Sequence, residues 1–419
     1  MQLDFHQFKH ECLNLVGQSG CLVALSGGVD SVVLLHLLKQ LRSLDSNLQL
    51  RAAYINHQIS MNADEWQQHC KRLCDAWQIP FESQFVSVDR TLGLGTEAAA
   101  RLARYKALTQ ICEDDECILT GHHQLDQAET LLLQLIRGAG VKGLSAMAKS
   151  GLFDHCHLVR PLLSFTKTEI LAYAKENGLQ WIEDNSNHDT AFDRNYVRHQ
   201  LMPIFQARWP SVSQTISRAA NHCAEADALL TDYLKQDLVR IQSGNQLVIS
   251  LLTEMRVLKQ SHLLRLWLIE QGCPLPDTNQ LQAMLTDVVN SRGDAMPCLH
   301  WKGYEMRRFD DRLYVMSRLE PFDSSLRYTW SLDQDCLIEP LAMRLSAQSC
   351  TAISLREKYQ VDRVSVRFRQ GGERMQRQGH HQSLKKFFQQ VSVPPWQRDR
   401  TPLLFIEEDL VEVYFDDSC

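Results

Sequence analysis

Cys21-Leu22-Val23-Ala24-Leu25-Ser26-Gly27-Gly28-Val29-Asp30-Ser31-Val32-Val33-Leu34-Leu35 is the stretch whose reading decides the fold. An apolar run leads into two glycines, and apolar positions at helical spacing lead out. That order reads as buried strand, tight turn and helix start. The glycines let main-chain N–H groups approach an anion, and the helix N-terminus adds partial positive charge. Ser26 and Ser31 can donate to phosphate oxygens. Asp30 beside phosphates is repelled by them unless a divalent cation lies between, as Mg²⁺ does in nucleotide sites. The Gly-Lys-Ser/Thr of a Walker A loop and the third glycine of the dinucleotide fingerprint are both missing. A plain strand–turn–helix junction with a Ser or Asp cap is the blander alternative.

Outward from this loop, strands and helices alternate. Leu48 to Ile55, Phe81 to Val88 and Cys117 to Thr120 read as strands, and His157 to Leu163 as another ending at Arg160-Pro161. Asp64 to Trp77, Thr96 to Cys112, Asp126 to Arg137 and Thr166 to Asn177 read as helices. Such alternation implies right-handed crossovers and a doubly wound parallel sheet, with ligands at the carboxyl ends of its strands. The Ser26 loop and the turn at His122-His123 share that edge. In that turn, Asp126 and Glu129 stand three apart on one helix face and can hold an ammonium group or Mg²⁺. First-turn acids favoured by the helix dipole are the alternative. Arg137 to Leu144 carries three glycines and two cations, a loop that suits an anionic substrate or is simply a surface loop. Arg194 and Arg198 are four apart and share a face, which fits nucleic-acid phosphates or a solvated basic face.

A length of 419 residues calls for two or three domains. The expected boundaries are 1–210 for an ATP-binding catalytic domain, 211–320 for a mainly helical substrate-binding domain, and 321–419 for a basic α+β domain. From Pro210 onward the texture is helical (Ser211 to Leu238, Leu263 to Gln271, Asn279 to Val289), with a hairpin over His300 to Met316. Between Arg356 and Arg400, eleven cations face four acids on a chain of net charge −6. Phe387, Phe388 and Trp396 interleave with that patch as RNA-stacking aromatics would, although core packing is favoured for the two phenylalanines. The 13 cysteines form no Cys-x-x-Cys pair and read as scattered reduced thiols. His155-Cys156-His157 looks like a metal cluster, but adjacent strand residues point to opposite faces. Met1 to Val16 reads as an amphipathic surface helix, and no apolar run nears the roughly 20 residues of a membrane span. Cytoplasm is the expected location.

The Ser26 to Ser31 motif resembles the PP-loop of the N-type ATP pyrophosphatases. Added to it are Ala100-Arg101-Leu102-Ala103-Arg104-Tyr105, His123 to Thr130, Glu183-Asp184-Asn185-Ser186-Asn187 with Arg194-Asn195, Arg369-Gln370-Gly371-Gly372-Glu373-Arg374 and Leu384-Lys385-Lys386-Phe387-Phe388. Together these resemble the tRNA(Ile)-lysidine synthase family in its long form. The family often has two aspartates where this chain has Leu125-Asp126, and Asp126 matches the second.

The resemblance implies an adenine nucleotide alpha hydrolase-like fold and an ATP-dependent ligation. The C2 oxygen of the wobble cytidine is adenylated with release of pyrophosphate. The side-chain amine of free lysine then attacks C2 and AMP departs, so that the tRNA reads AUA codons. Ser26, Gly27, Gly28, Val29, Asp30 and Ser31 would hold ATP, and Asp30 would hold Mg²⁺. Asp126 and Glu129 would bind the lysine ammonium and could accept its proton before attack. Arg104 would steady the activated cytidine or the phosphate. Arg194, Arg198, Arg369, Arg374, Lys385, Lys386 and Arg398 would contact tRNA. The implied partners are an isoleucine tRNA with a CAU anticodon and free lysine, without a membrane, and a homodimer is compatible. The competing readings are tRNA thiolation by a related PP-loop protein, which normally uses paired cysteines; a non-catalytic RNA-binding module, which needs no Asp30; and a PP-loop amidotransferase or small-molecule ligase, which leaves the basic C-terminal region without a purpose.

Overall fold

The computed structural model describes residues 3–56, 62–87, 96–184, 189–292, 295–377 and 380–415. The chain divides into two compact units, Met1–Asp232 and Tyr233–Cys419.

In the first unit, β1 (Gly20–Ala24), β2 (Leu50–Asn56), β3 (Phe81–Phe85), β4 (Glu116–Leu119), β5 (Ser150–Phe153) and β6 (Cys156–Val159) form one sheet, ordered β3-β2-β1-β4-β6-β5. All neighbouring pairs are parallel except β5 and β6. The crossovers run through α2 (Val29–Leu44), α3 (Ala63–Ala76), α4 (Thr96–Ile111) and α5 (Gln124–Ile136). Helix α1 (Phe5–Val16) precedes the sheet; α6 (Val141–Leu144) and α7 (Lys167–Glu176) follow α5. Side-chain alternation along β1 divides the core. Cys21 and Val23 join α2 and α7 in one cluster, whereas Leu22 joins Tyr105 and Leu108 of α4 in another. A sheet covered on both faces needs near-continuous apolar strands, and β1 has them. The chain winds outward from β1 to β3, then returns to place β4 on the other side of β1. The crevice between β1 and β4 is therefore the topological switch point.

The expected strands are present, with β3 ending at Phe85; Val88, His57 and Asn185-Ser186-Asn187 lie outside the described residues. The strand expected over 157–163 ends at Val159, and its antiparallel partner β5 was not foreseen. Cys156 is buried while His155 and His157 are exposed, as their alternation requires. All described cysteines are free. Among the described residues no helix is long and apolar enough to cross a membrane.

After α7 come α8 (Asp193–Tyr196), a π-helical turn over Val197–Leu201, α9 (Met202–Arg208) and the long α10 (Val212–Ile241). In the second unit, α11 (Ile249–Thr253), α12 (Val257–Glu270) and α13 (Thr278–Ala283) accompany an antiparallel sheet of five strands. These are β7 (Gln242–Ser243), β8 (Gln246–Val248), β9 (Cys298–Trp301), β10 (Tyr304–Phe309) and β11 (Arg312–Ser317), ordered β7-β8-β11-β10-β9. The hairpin expected over 300–316 is the centre of this sheet; its flanking strands were not foreseen. Trp267 of α12, Met306 of β10 and Leu313 of β11 are fully buried together.

A last sheet contains β12 (Tyr328–Ser331), β15 (Arg363–Arg367), β16 (Arg374–Arg377), β17 (His380–Ser383), β18 (Leu403–Ile406) and β19 (Asp409–Val413), in the order β12-β15-β18-β19-β16-β17. Beside it lie the ladder of β13 (Cys336–Ile338) and β14 (Met343–Leu345), and helices α14 (Cys350–Tyr359), α15 (Leu384–Gln390) and α16 (Pro395–Arg398).

Candidate active site

The loop after β1 turns because Gly27 adopts φ +83°, and a Cβ there would lie 2.7 Å from Ile182 Cδ1 and 3.1 Å from Cys70 Sγ. Gly28 caps α2 without a side chain. Ser31 Oγ donates to the Gly28 carbonyl oxygen at 2.9 Å and lies 3.2 Å from Ser26 Oγ, which fixes both hydroxyls inside the loop. Val29 is buried beneath it. On the other side of the switch point, Gly121 follows β4. A Cβ on Gly121 would lie 2.8 Å from the Asp30 carbonyl carbon and 3.0 Å from the Ser31 nitrogen. Only glycine allows the two turns to touch here.

Helix α5 then starts with a reciprocal cap. His123 Nδ1 accepts from the Leu125 N–H at 3.2 Å, and Asp126 Oδ2 accepts from the His123 N–H at 3.0 Å. With Nδ1 accepting, Nε2 is the ring nitrogen that carries hydrogen. That atom lies 3.5 Å from Asp30 Oδ1 and 3.4 Å from Asp126 Oδ2. His123 thus stands between the two aspartates.

Behind Asp126 lies a buried charge network. Glu129, fully inaccessible, accepts from Arg194 Nε at 2.9 Å and from Arg198 Nε and a terminal nitrogen at 2.6 and 2.9 Å. Arg198 also donates to Asp126 Oδ1 at 2.9 Å. Burial alone would raise the Asp126 carboxyl, but His123, Arg194, His122 and Arg198 hold it well below the usual carboxylate range. Burial works against the charge of Arg198, yet Glu129 first, then Asp126 and Asp30, stabilise it.

Three expectations change on this geometry. Arg194 and Arg198 do share a face, but it packs on α5, and their hydrogen bonds go to carboxylates rather than to phosphates. Glu129 has no surface to offer a free lysine; it anchors the arginines. Asp126 already accepts from Arg198 and from the His123 N–H, contacts that favour its charged form over proton uptake.

Lys167, the first residue of α7, was missed. Its ammonium donates to Asp30 Oδ1 and Oδ2 at 2.6 and 2.8 Å. The available signal was a cation in the first turn of a helix, where the dipole disfavours it.

Ser26, Gly28, Asp30, Ser31, Gly121, His122 and Asp126 line one cavity of about 670 Å³. Its other walls are Ala24, Ala53, Tyr54, Ile55, Trp66 and Leu108, with Arg104, Glu183 and Asp184 at its polar margin. Burial and the nearby arginines push His122 down to about 3, so it is neutral, with Nδ1 2.8 Å from Thr120 Oγ1. Arg104 is exposed at the cavity and is a cation.

Of the cations expected to meet tRNA in the second unit, Arg374, Lys385 and Lys386 are exposed. Arg369 pairs with Asp399 at 2.9 Å. Arg398 donates to the Val393 carbonyl oxygen at 2.9 Å and lies over the Phe309 ring, so it is a structural cation. Phe387 and Phe388 are buried, as favoured. Trp396 is no open stacking platform, because Phe309, Tyr314 and the Arg307 guanidinium surround it.

A glycine-turned anion loop opening a helix at the switch point of a parallel sheet, faced by a second acidic turn, defines a PP-loop α/β protein. The PP-loop domain family matches residues 1–205. The TilS substrate binding domain matches 247–314, and the TilS substrate C-terminal domain matches 364–414. The chain is 39% identical over 401 residues to the tRNA(Ile)-lysidine synthase of Coxiella burnetii, spanning 95% of this chain and 89% of that one. It is 42% identical over 395 residues to that of Serratia proteamaculans (93% and 89%), and 41% over 398 residues to that of Pectobacterium atrosepticum (94% and 90%). The chain belongs to the tRNA(Ile)-lysidine synthase family.

Proposed function

We propose that this chain makes lysidine in an isoleucine tRNA at the expense of ATP. The single observation that carries the reading is the juxtaposition of the Ser26–Ser31 loop with Asp30 and Asp126 in one cavity, in a chain that belongs to this family. The apolar wall formed by Ala24, Ala53, Tyr54 and Ile55 suits the adenosine, and the loop N–H groups and hydroxyls suit the phosphates.

Asp30 carries an ammonium on both oxygens, so its surroundings already favour a cation there, and its hard oxygen donors fit Mg²⁺. When bound, Mg²⁺ supplies positive charge against the phosphates. Lys167 then turns from Asp30 to the departing pyrophosphate, where a fixed cation stabilises developing charge. Arg104 lines the same cavity and steadies the cytidine whose C2 oxygen attacks the α-phosphorus. Free lysine enters with its ammonium towards Asp126, which orients it; Glu129, Arg194 and Arg198 set the position of Asp126. Attack of the amine nitrogen on C2 and loss of AMP complete the exchange of oxygen for nitrogen. The amine, with a pKa of about 10, gives up a proton to solvent water before it attacks. Arg374, Lys385 and Lys386 are the cations offered to tRNA phosphates. The substrate is a CAU-anticodon tRNA and the reaction is cytoplasmic.

The test is incubation with ATP, Mg²⁺, labelled lysine and total tRNA. Label in one isoleucine tRNA, with AMP and pyrophosphate formed, is the expected result. ATP turnover without lysine label would favour a related tRNA-modifying chemistry, and tRNA binding without ATP turnover a non-catalytic module.

A further inference from the structure

The edge of the five-stranded sheet carries a cluster unrelated to the ATP site. Cys298 and His300 lie two apart on β9, hence on one face, and β10 sets Glu305 directly opposite His300 and Arg307 opposite Cys298. Cys298 Sγ is 3.6 Å from His300 Nε2 and 4.0 Å from Glu305 Oε2. His300 Nδ1 is 3.6 Å from the same Oε2. One donor atom from each residue falls within 4.8 Å of the others.

Glu305 is only 1% exposed, so its charge needs compensation on both oxygens. Arg307 Nε donates to Oε1 at 2.8 Å and leaves Oε2 turned to the thiol and the imidazole. An arginine that fixes one carboxylate oxygen and aims the other is what an outer partner does for a metal ligand.

We propose that Cys298, His300 and Glu305 form a Zn²⁺ site that ties β9 to β10. Sulfur and imidazole donors disfavour Mg²⁺ and Ca²⁺ and suit zinc. Tetrahedral zinc, with bonds of about 2.3 Å to sulfur and about 2.0 Å to nitrogen or oxygen, holds its ligand atoms roughly 3.3–3.6 Å apart. The observed separations need only small side-chain rotations to reach that. His300 presents one ring nitrogen to the thiol and the other to the carboxylate, and a turn of the ring commits one of them. Three protein ligands leave a fourth position for water. Thiolate and carboxylate together neutralise the ion.

The test uses the full chain, stripped with a chelator and titrated with Zn²⁺ against a chromophoric competitor, beside Cys298→Ser and His300→Ala. Both positions are exposed, so both variants retain the fold, which a thermal melt checks. Unmodified protein should bind one more equivalent than either variant, or bind it at least about tenfold more tightly. Co²⁺ in its place should give a thiolate-to-cobalt charge-transfer band that Cys298→Ser abolishes. Equal zinc affinity and stoichiometry in all three proteins, or a cobalt spectrum without that band, overturns the proposal. Neither readout depends on lysidine formation.

Discussion

Replacing Glu129 by glutamine separates a structural carboxylate from a substrate ligand. The side chain is inaccessible and accepts three charged hydrogen bonds from two arginines, at 2.6, 2.9 and 2.9 Å. Glutamine keeps the shape and one acceptor but removes the charge, leaving Arg194 and Arg198 to share Asp126. Removing one partner of a buried ion pair costs about 3–5 kcal/mol, and the retained acceptor puts Glu129→Gln near the lower end. For a unit the size of Met1–Asp232, at roughly 2–4 °C per kcal/mol, the first unit should melt about 6–12 °C lower. Circular dichroism melts of the full chain, with steady-state kinetics in lysine, measure both effects. The expected outcome is a lower melting temperature, with lost turnover because Asp126 loses its support. A melting temperature equal to wild type, with only the KM for lysine raised, would show that Glu129 meets the substrate and that the network reading is wrong.

Lys167→Met should reduce tRNA-dependent ATP–pyrophosphate exchange by about a hundredfold, as expected for loss of a group aimed at developing charge. Its melting temperature should change little, since the Lys167–Asp30 pair is partly exposed; undiminished exchange removes Lys167 from the reaction. Gly121→Ala places a Cβ 2.8 Å from the Asp30 backbone and should weaken ATP binding, read by equilibrium titration, without touching the nucleotide itself. His122 is held neutral, at about 3, while the unfolded chain protonates it below about 6.5. The unfolded state therefore binds more protons between those values, and stability should fall as pH drops from about 6.5 towards 3. Denaturant melts across that window should show a shallower dependence in His122→Asn.

The fold was legible where local chemistry and tertiary context agree. The apolar run before Ser26, the two glycines and the helical spacing after them all demand one strand–turn–helix unit. β5 was not legible, because Ser150-Gly151-Leu152-Phe153 has little of the β-branched alternation that marks a strand. Strands of two or three residues, such as β7 and β8, are too short to show a period. At the site, spacing placed Arg194 and Arg198 on one face but did not say what that face meets, because Glu129 is 65 residues away from Arg194. A clue was present: Glu129 precedes the apolar run Leu131-Leu132-Leu133, where burial obliges a carboxylate to find cations. For Trp396 the sequence shows a large aromatic among cations, and only packing distinguishes an open ring from one enclosed by Phe309 and Tyr314.

The bare backbone at Gly121 makes the two halves of the catalytic crevice mechanically one piece. Neither turn can gain bulk at this contact without pushing on its neighbour. On the roles proposed above, rebuilding the second turn alone to admit a different amine would thus disturb the loop that faces the nucleotide. Redesign has to treat residues 26–31 and 120–126 as a single block.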